Sequence, residues 1–241
     1  MNDSAAASSQ AAAVLHAVLQ VSADLSVEDA LAAESLGYST LQAGAEHQAW
    51  LASRTPRERL VSGSPVDIAR DGDVLTIRLT RPERRNAIDA ATRDALLDAF
   101  AIAEADPDLE VVWSGEGPSF CSGGDLDEFG TLPDPATAHL IRTTHSLGAA
   151  VHRLSDRMTV RVHGSCAGAG VELPAFAGRV IAGPDTTFRL PELAMGLIPG
   201  AGGTVSLPRR IGRGRTEQLA LSGEPIDAAT ALDWGLVDEL A

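Results

Sequence analysis

Residues 163–174 read HGSCAGAGVELP and bring three glycines, the Cys166 thiol and the Glu172 carboxylate into twelve positions. They follow a short apolar stretch, residues 159–163, that is typical of a buried strand. Pro174 fits a helix only in its first turn, so we expect the helix to begin near residues 169–171. The stretch is therefore predicted to be a strand-to-helix turn, the connection from which α/β folds are built.

Three kinds of site fit such a turn: a nucleophile elbow centred on Cys166, a phosphate cradle, or backbone N–H groups that bind a ligand themselves. The elbow requires an acid and then a histidine later in the chain, but all six histidines precede Cys166, so the usual order of catalytic residues in those hydrolases cannot be met. Leu173 stands where a dinucleotide fingerprint needs its third glycine, and the chain has no lysine for a phosphate loop. The backbone N–H groups remain as the interpretation.

The composition favours a small ligand. The chain has 241 residues, 44% of them apolar, enough for one domain or one domain with an appendage. A net charge of −14 argues against nucleic acid or an anionic membrane as the partner. Two cysteines are too few for a disulfide framework or a zinc site, so no metal is expected. Neither a signal peptide nor a transmembrane segment is evident, and we expect a cytoplasmic protein.

The first quarter of the chain differs from the rest. Residues 1–10 are small and polar and are expected to be disordered. Two helices are predicted at 11–21 and 26–53, the second opened by a capping box of Ser26 and Asp29. Residues 57–71 resemble a linker, which places a boundary near 63. The predicted organisation is a helical segment over 11–62 and a core over 63–241.

Strands and helices alternate in the core, which indicates an α/β fold. Asp89 is expected to cap the first core helix. The predicted strands are 73–79, 109–113, 159–163, 180–182 and 187–190. The predicted helices are 90–105, 134–154, 215–221 and 227–232, and in the second of these one apolar face is formed by Leu140, Leu147, Val151 and Leu154.

A second glycine-containing strand exit, residues 117–126, supports the backbone interpretation. Glycine lets the main chain approach a ligand, and a helix start adds partial positive charge there. Two N–H groups that converge on one oxygen would form an oxyanion hole, which stabilises an enolate.

Four stretches in this order resemble the crotonase (enoyl-CoA hydratase/isomerase) family: 81–88 (RPERRNAI), 120–126 (FCSGGDL), 164–173 (GSCAGAGVEL) and 191–204 (PELAMGLIPGAGGT). The resemblance covers about residues 66–240. It implies a spiral of ββα repeats, acyl-CoA thioesters as substrates, and homotrimers or hexamers built as dimers of trimers. It implies no cofactor apart from the coenzyme A carried by the substrate.

The resemblance also assigns roles to residues. The thioester oxygen would be held by the N–H groups of Ser122 and Ala169, provided that Ala169 has a negative φ. Glu172 would deprotonate a water molecule and Glu192 would protonate the α carbon. Coenzyme A would lie across Arg84, Arg85, Asn86, Ala87, Ile88, Gly123, Gly124 and Asp125, with Arg84 or Arg85 at its phosphates.

Retention of both glutamates favours enoyl-CoA hydration. The alternatives are an enoyl-CoA isomerase, thioester hydrolysis or decarboxylation, or a subunit that binds acyl-CoA without catalysis, since the fold alone cannot separate them.

One departure from the family concerns chain order. Family members usually continue past the position of residues 235–238 into helices that cover the site and pack the trimer. Residues 30–56 resemble that tail, with Trp50 at a common aromatic position and Arg54 near a common basic one. We expect residues 11–56 to occupy the lid and trimer-contact position; the competing interpretation is an unrelated helical extension.

Overall fold

The computed structural model describes residues 9–55 and 63–241. Three helices lie at the N-terminal end: α1 (Gln10–Val21), α2 (Val27–Gln42) and α3 (Ala45–Ala52). The helix predicted at 11–21 is confirmed, with Ser9 as its cap. Ser9 and Gln10 are therefore structured, which corrects the expected disorder at those two positions; residues 1–8 lie outside the described part.

The long helix expected over 26–53 is wrong as a single element. Its start is confirmed, because Ser26 Oγ accepts a hydrogen bond from the Asp29 N–H at 3.1 Å. It ends after Gln42, and Gly44 has extended backbone angles (φ −75°, ψ 153°) before α3 begins. The helix closes at this point with a turn in which the Gly44 N–H donates to the Leu41 carbonyl at 2.8 Å.

The larger sheet is mostly parallel. Its strands are β1 (Val66–Asp71), β2 (Val74–Leu79), β3 (Glu110–Gly115), β4 (Met158–Val162), β6 (Arg179–Ala182) and β9 (Glu239–Leu240), paired in that order. Among the described strands of this sheet, only β1 and β2 pair antiparallel. The prediction of a linker over 57–71 is wrong from Val66 onward, where β1 begins. This strand lies at the edge of the sheet and buries one residue, which is why its sequence does not show the apolar alternation of a half-buried strand. Residues 56–62 lie outside the described part.

A smaller sheet carries the opening stretch. It consists of β5 (Ser165–Ala167), β7 (Thr187–Arg189) and β8 (Ile226–Asp227), with β5 and β7 parallel. This sheet aligns the end of β5 with the end of β7, which places the residues that follow each strand, near 169 and 192, at the same edge.

Helices surround the sheets, and together they confirm the α/β class. They are α4 (Ala90–Ala105), α5 (Pro135–Thr144), α6 (Leu147–Arg153), α7 (Ala169–Glu172), α8 (Gly203–Ile211), α9 (Arg213–Ser222) and α10 (Ala228–Trp234). Asp89 caps α4 as expected, accepting the Thr92 N–H at 2.8 Å. The single helix expected over 134–154 is wrong: it breaks at 145–146, and the phase change leaves Leu140 61% exposed while Leu147, Val151 and Leu154 are buried.

Helix α8 was not predicted, because it starts in the glycine-rich run 200–203 and contains Pro208. It nevertheless determines the position of the site, since α1, α2 and α7 all pack against it.

The N-terminal helices share one core with the sheets. Leu15, Leu19, Tyr38 and Leu41 from these helices belong to the same buried cluster as Trp113 and its neighbours. Helix α2 packs against α5, α6 and α8, and α3 against the turn that carries Glu192. The helices therefore form a wall of the region described next.

Candidate active site

The two predicted glycine stretches lie against one another. The Ala167 N–H donates to the Cys121 carbonyl at 3.2 Å, and a side chain at Gly170 would overlap that same carbonyl. Gly170 is therefore needed for the close approach of the two main chains. The sequence predicted both turns, and the structure brings them together.

Gly168 and Ala169 form the start of α7. Gly168 has φ +50° and ψ −122°, angles that an L residue rarely adopts, while Ala169 has the negative φ of a helical residue. The condition set for an N–H donor at Ala169 is thus met. Because Ala169 is the first residue of its helix, its N–H has no acceptor within the helix.

Ser122 is not available as the second donor. Its N–H donates to the Arg85 carbonyl at 3.0 Å, so the amide predicted to bind the thioester oxygen already has a partner. That prediction is wrong for this structure, because the hydrogen bond joins two loops of the protein.

The amide of Gly124 is free instead. Ile88 forms a parallel bridge with Gly124, in which the Ile88 N–H donates to Gly123 and the Asp125 N–H donates to Ile88, both at 2.8 Å. In such a bridge one residue, here Ile88, makes both hydrogen bonds, and the N–H of the residue opposite, here Gly124, points away from the partner strand. Neither Gly124 nor Ala169 donates its N–H to any residue within 9–55 and 63–241. The adjacent Gly123 and Gly168 pack closely, since a Cβ built on Gly168 would lie 3.7 Å from the Gly123 Cα.

Glu172 is buried and firmly held. Its Oε2 accepts the N–H groups of Ala201 and Gly203 at 2.7 and 2.8 Å, next to the start of α8. Burial raises the pKa of Glu172 well above its usual value of 4.5, and the charges of Glu192 and Glu34 raise it further. The two amide hydrogen bonds oppose this shift without reversing it.

Glu192 is buried and incompletely bonded. Its Oε2 has no hydrogen-bond partner among the described residues, and burial raises its pKa to about 8. Its Oε1 would lie 2.5 Å from a Cβ built on Gly168, which places this carboxyl against the turn that carries the Ala169 N–H. An unpaired buried carboxyl oxygen is costly, so such a group in a native protein calls for a ligand or a functional role.

A third buried carboxyl, Glu34 of α2, was missed by the sequence analysis. It accepts hydrogen bonds from the Gly202 N–H at 2.7 Å and from the N–H and hydroxyl of Thr204 at 2.8 and 2.7 Å. Burial raises its pKa to about 7 despite these bonds. Its only sequence signal was a charged residue on the apolar side of α2, which does not identify the partner.

The two segments predicted to bind coenzyme A are joined by backbone hydrogen bonds. Residues 85–88 and 122–125 are connected by three of them, from Ser122 to Arg85, from Ile88 to Gly123 and from Asp125 to Ile88. The eight predicted residues thus form one continuous surface beside the free amide of Gly124. Ala87 and Asn86 are buried within it, and Ile88 is half-buried.

The polar side chains of this surface differ in availability. Arg84 pairs with Asp125 at 2.9 Å and also with Asp127, so its charge is neutralised within the protein. Asn86 uses its amide to hold the loop, donating to the Glu116 and Ser119 carbonyls. Arg85 is exposed and forms no ion pair with a described residue.

A cavity of about 190 Å³ lies between the N-terminal helices and the core. Apolar side chains contribute much of its lining, and Glu34 and the backbone of residues 200–202 lie at its wall. The apolar lining residues include Leu31, Ile88, Ile141, Leu147 and Leu173.

The described residues contain no cluster of three metal-ligating side chains, and none of their helices has the length and apolarity needed to cross a bilayer. Cys121 and Cys166 are both buried and unpaired, and burial raises the pKa of the Cys121 thiol to about 12. Their thiols therefore lack the thiolate character of a nucleophile.

The family model for enoyl-CoA hydratase/isomerase matches residues 69–241. The 2,3-dehydroadipyl-CoA hydratase of Escherichia coli (strain K12) is 35% identical over 178 residues, which cover 73% of this chain and 69% of that protein. The cyclohexa-1,5-dienecarbonyl-CoA hydratase of Thauera aromatica is 34% identical, over 75% of this chain and 69% of that protein.

Solved structures agree. The enoyl-CoA hydratase from Thermoplasma volcanium GSS1 superimposes with a TM-score of 0.68 at 35% identity, over 74% of this chain and 72% of that one. A Mycobacterium smegmatis enoyl-CoA hydratase gives 0.67 at 31% identity, over 73% and 70%. These matches confirm the crotonase-like fold, and this chain belongs to the enoyl-CoA hydratase/isomerase family.

Proposed function

We propose that this protein adds water across the 2,3 double bond of an enoyl-CoA thioester. The observation that carries the proposal is the juxtaposition of two buried carboxyls, Glu172 and Glu192, with two backbone amides, Gly124 and Ala169, that donate to none of the described residues. Hydration needs a base, an acid and a site for enolate charge, and these four groups supply them.

The thioester oxygen is assigned to the N–H groups of Gly124 and Ala169. Gly124 takes the place of Ser122, whose amide is already bonded. As water attacks C3, negative charge moves onto this oxygen, and two fixed donors stabilise it without having to reorganise. Each such donor is worth about 10²–10³ in rate.

Glu172 is assigned as the base. Its Oε2 accepts two amide N–H groups, which orient the carboxyl and favour its ionised form, whereas Oε2 of Glu192 receives no donor among the described residues. When this coupled pair holds one proton, Glu192 carries it, and Oε1 of Glu172 accepts a proton from the attacking water. The hydroxyl oxygen bonds to C3, and the electron pair of the double bond moves toward the thioester.

Glu192 is assigned as the acid that delivers a proton to C2. A pKa of about 8 keeps it protonated near neutral pH, and its Oε2 is not engaged by the protein. After the proton transfer one carboxyl has gained a proton and the other has lost one, so exchange with solvent restores the starting state.

Coenzyme A is assigned to the surface of residues 84–88 and 123–125. Arg85 is the arginine proposed to meet the phosphates, because it is exposed and Arg84 is paired with two aspartates. The acyl chain is assigned to the cavity of about 190 Å³, whose wall offers apolar side chains to hydrocarbon alongside charged and polar ones.

The N-terminal helices are proposed to act as the lid expected from the sequence. Helix α2 lines the cavity, and α3 rests on the loop after the coenzyme A surface: Trp50 contacts Phe129 edge-on, and Arg54 donates to the Leu126 carbonyl at 2.6 Å. The trimer or hexamer also stays a proposal, and light scattering should then give three or six times the 25.0 kDa chain mass.

The proposed activity is tested by the absorbance of an α,β-unsaturated acyl-CoA thioester, with product analysis. Wild type should consume it and form the 3-hydroxyacyl product. Glu172→Gln and Glu192→Gln should each lower kcat by about 10²–10⁴. The matched control is Glu104→Gln, which should behave as wild type, because Glu104 lies on the surface and its carboxylate pairs with Arg153.

A wild type that hydrates no chain length would contradict the proposal. A product with the double bond moved instead of hydrated would support the isomerase alternative.

A further inference from the structure

Four consecutive backbone amides at the start of α8 alternate between two carboxylates. The first and third donate to Oε2 of Glu172, and the second and fourth donate to Glu34, all at 2.7–2.8 Å. The donors in order are Ala201, Gly202, Gly203 and Thr204. One turn of main chain is thus held from two sides, by α7 and by α2.

This turn has few side chains of its own. Residues 200–203 read GAGG and Gly202 has φ +105°, so the segment is shaped by its hydrogen bonds and by the rings of Tyr38 and Phe176, which pack directly on Gly200 and Gly202. The amides at a helix start have no acceptor in their own helix. Glu34 supplies acceptors for two of them and takes a third bond from the Thr204 hydroxyl.

Glu34 is not hydrogen-bonded to the groups assigned to the reaction. It is 2% exposed, forms no hydrogen bond to Glu192, Gly124 or Ala169, and its hydrogen bonds connect it to Glu172 only through the shared turn. The role that its hydrogen bonds most directly support is therefore the placement of that turn.

We propose that Glu34 is a positioning residue: it fixes residues 202–204 so that the amides of Ala201 and Gly203 hold the Glu172 carboxyl in the orientation that activates water. This inference rests on the proposed function for the role of Glu172. The N-terminal helix α2 thereby contributes a necessary part of the active site, since the chain from 63 onward contains no second acceptor for the Gly202 and Thr204 amides among its described residues.

Charge provides a second link between the two carboxyls. The groups facing Glu34 are Thr204 from α8, Arg142 from α5, Tyr38 from its own helix, Glu172 from α7 and Glu192 from the turn after β7. The negative charge of Glu34 raises the pKa of Glu172, after burial and Glu192. Removal of that charge should lower the pKa of Glu172.

The test is Glu34→Gln, measured as kcat, KM and the pH dependence of kcat. The side-chain NH₂ group of glutamine would face the Thr204 N–H, and because an NH₂ group is a donor it cannot accept that hydrogen bond. The turn should therefore loosen. We expect kcat to fall about 10- to 100-fold, with KM within about threefold of wild type. A base is active when ionised, so a lower pKa of Glu172 should move the acidic limb of the profile to lower pH.

The matched control is Thr40→Ala on the same helix. The Thr40 hydroxyl donates to the Leu36 carbonyl of its own helix at 2.9 Å and bonds neither residues 201–204 nor Arg142. It should leave kcat and the acidic limb as in wild type. A Glu34→Gln enzyme with the kcat and acidic limb of wild type, or a Thr40→Ala enzyme that reproduces both changes, would overturn the inference.

Two further measurements keep the inference testable. If Glu34→Gln does not fold, Thr204→Val removes one of the three bonds to Glu34, and an unchanged kcat would overturn the inference. Urea unfolding of Glu34→Gln, Glu172→Gln and the double variant requires no activity. The positioning role predicts that the effects of the two substitutions on the free energy of unfolding are non-additive, and additive effects would overturn it. This test holds even if the wild type hydrates no substrate, because the absence of hydration by itself contradicts only the proposed function.

Discussion

Residues 201–204 and the pair Gly124 and Ala169 all present backbone N–H groups to the same site, but within residues 9–55 and 63–241 only the first set is hydrogen-bonded. The bonded amides hold carboxylates that belong to the chain. The unbonded amides lie at strand exits where glycine keeps the main chain bare.

The difference separates structural from ligand-binding uses of the same chemical group. Loss of a bonded amide or its acceptor should reduce stability, because a buried partner is left unsatisfied. Loss of an unbonded amide should reduce activity and leave stability nearly unchanged. Glu192, with an unpaired Oε2, belongs with the unbonded groups.

The largest effect is expected from Glu192→Gln on the pH dependence of stability. A carboxyl whose pKa is raised from 4.5 to about 8 on folding binds its proton more tightly in the folded state. Its stabilisation is complete below pH 4.5 and is lost as the pH rises toward 8. At pH 8 the free energy of unfolding of the variant should therefore exceed that of wild type by on the order of a few kcal/mol. This difference should shrink toward pH 4.5.

Urea unfolding at a series of pH values measures this difference. The general repulsion within a chain of net charge −14 changes little between the two proteins, so the subtraction reports Glu192 together with its charge effect on Glu172. Parallel stability curves would show that this carboxyl is not strained in the folded state.

The next effect is expected from Ala169→Pro, which removes one unbonded N–H. Ala169 is the first residue of α7, where proline is accepted. We expect kcat to fall about 10²–10³, with little change in the thermal midpoint. Ala169→Gly keeps the N–H and is the control; equal losses in both variants would argue against the amide as the cause.

A smaller effect is expected from Thr204→Val, which removes a hydroxyl from the bonded set. The lost bond to Glu34 should lower the free energy of unfolding by about 1.5–3 kcal/mol, since the acceptor is a carboxylate. Thr216→Val is the control, because Thr216 is equally buried and its hydroxyl donates only to the Gly212 carbonyl. Its loss should be smaller, and chemical denaturation compares the two.

The smallest effect is expected from Ser26→Ala, which removes the cap of α2 at the end far from Glu34. A lost N-cap costs about 1 kcal/mol. Stability should fall by that amount while the pH profile of the reaction stays in place. A shifted profile would mean that any loosening of α2 reaches Glu172.

The sequence predicted the groups that lie within single motifs. Glu172 and Glu192 were found because each belongs to a local pattern, and the caps at Ser26 and Asp89 because capping is a local interaction. The same holds for the start of α7, which Pro174 fixed to within a few residues.

What the sequence could not predict depends on distant partners. Which of the consecutive amides 122–124 faces a ligand is decided by the bridge to Ile88, so Ser122 was chosen in place of Gly124. Glu34 is one of many acidic residues until α8 is placed beside it. Strand β1 and helix α8 were missed for the opposite reason, because their own residues are unfavourable and tertiary pairing stabilises them.

The bond from Gly202 to Glu34 spans 168 residues of chain. During synthesis Glu34 emerges first, and its acceptor oxygens have no amide partners until almost the whole chain has been made. Contacts of such long sequence separation form late in folding, because the intervening loop must close before they contribute stability. Docking of α2 onto α8 is therefore expected to come after the sheet is assembled, so that the site becomes competent only when the rest of the fold is complete.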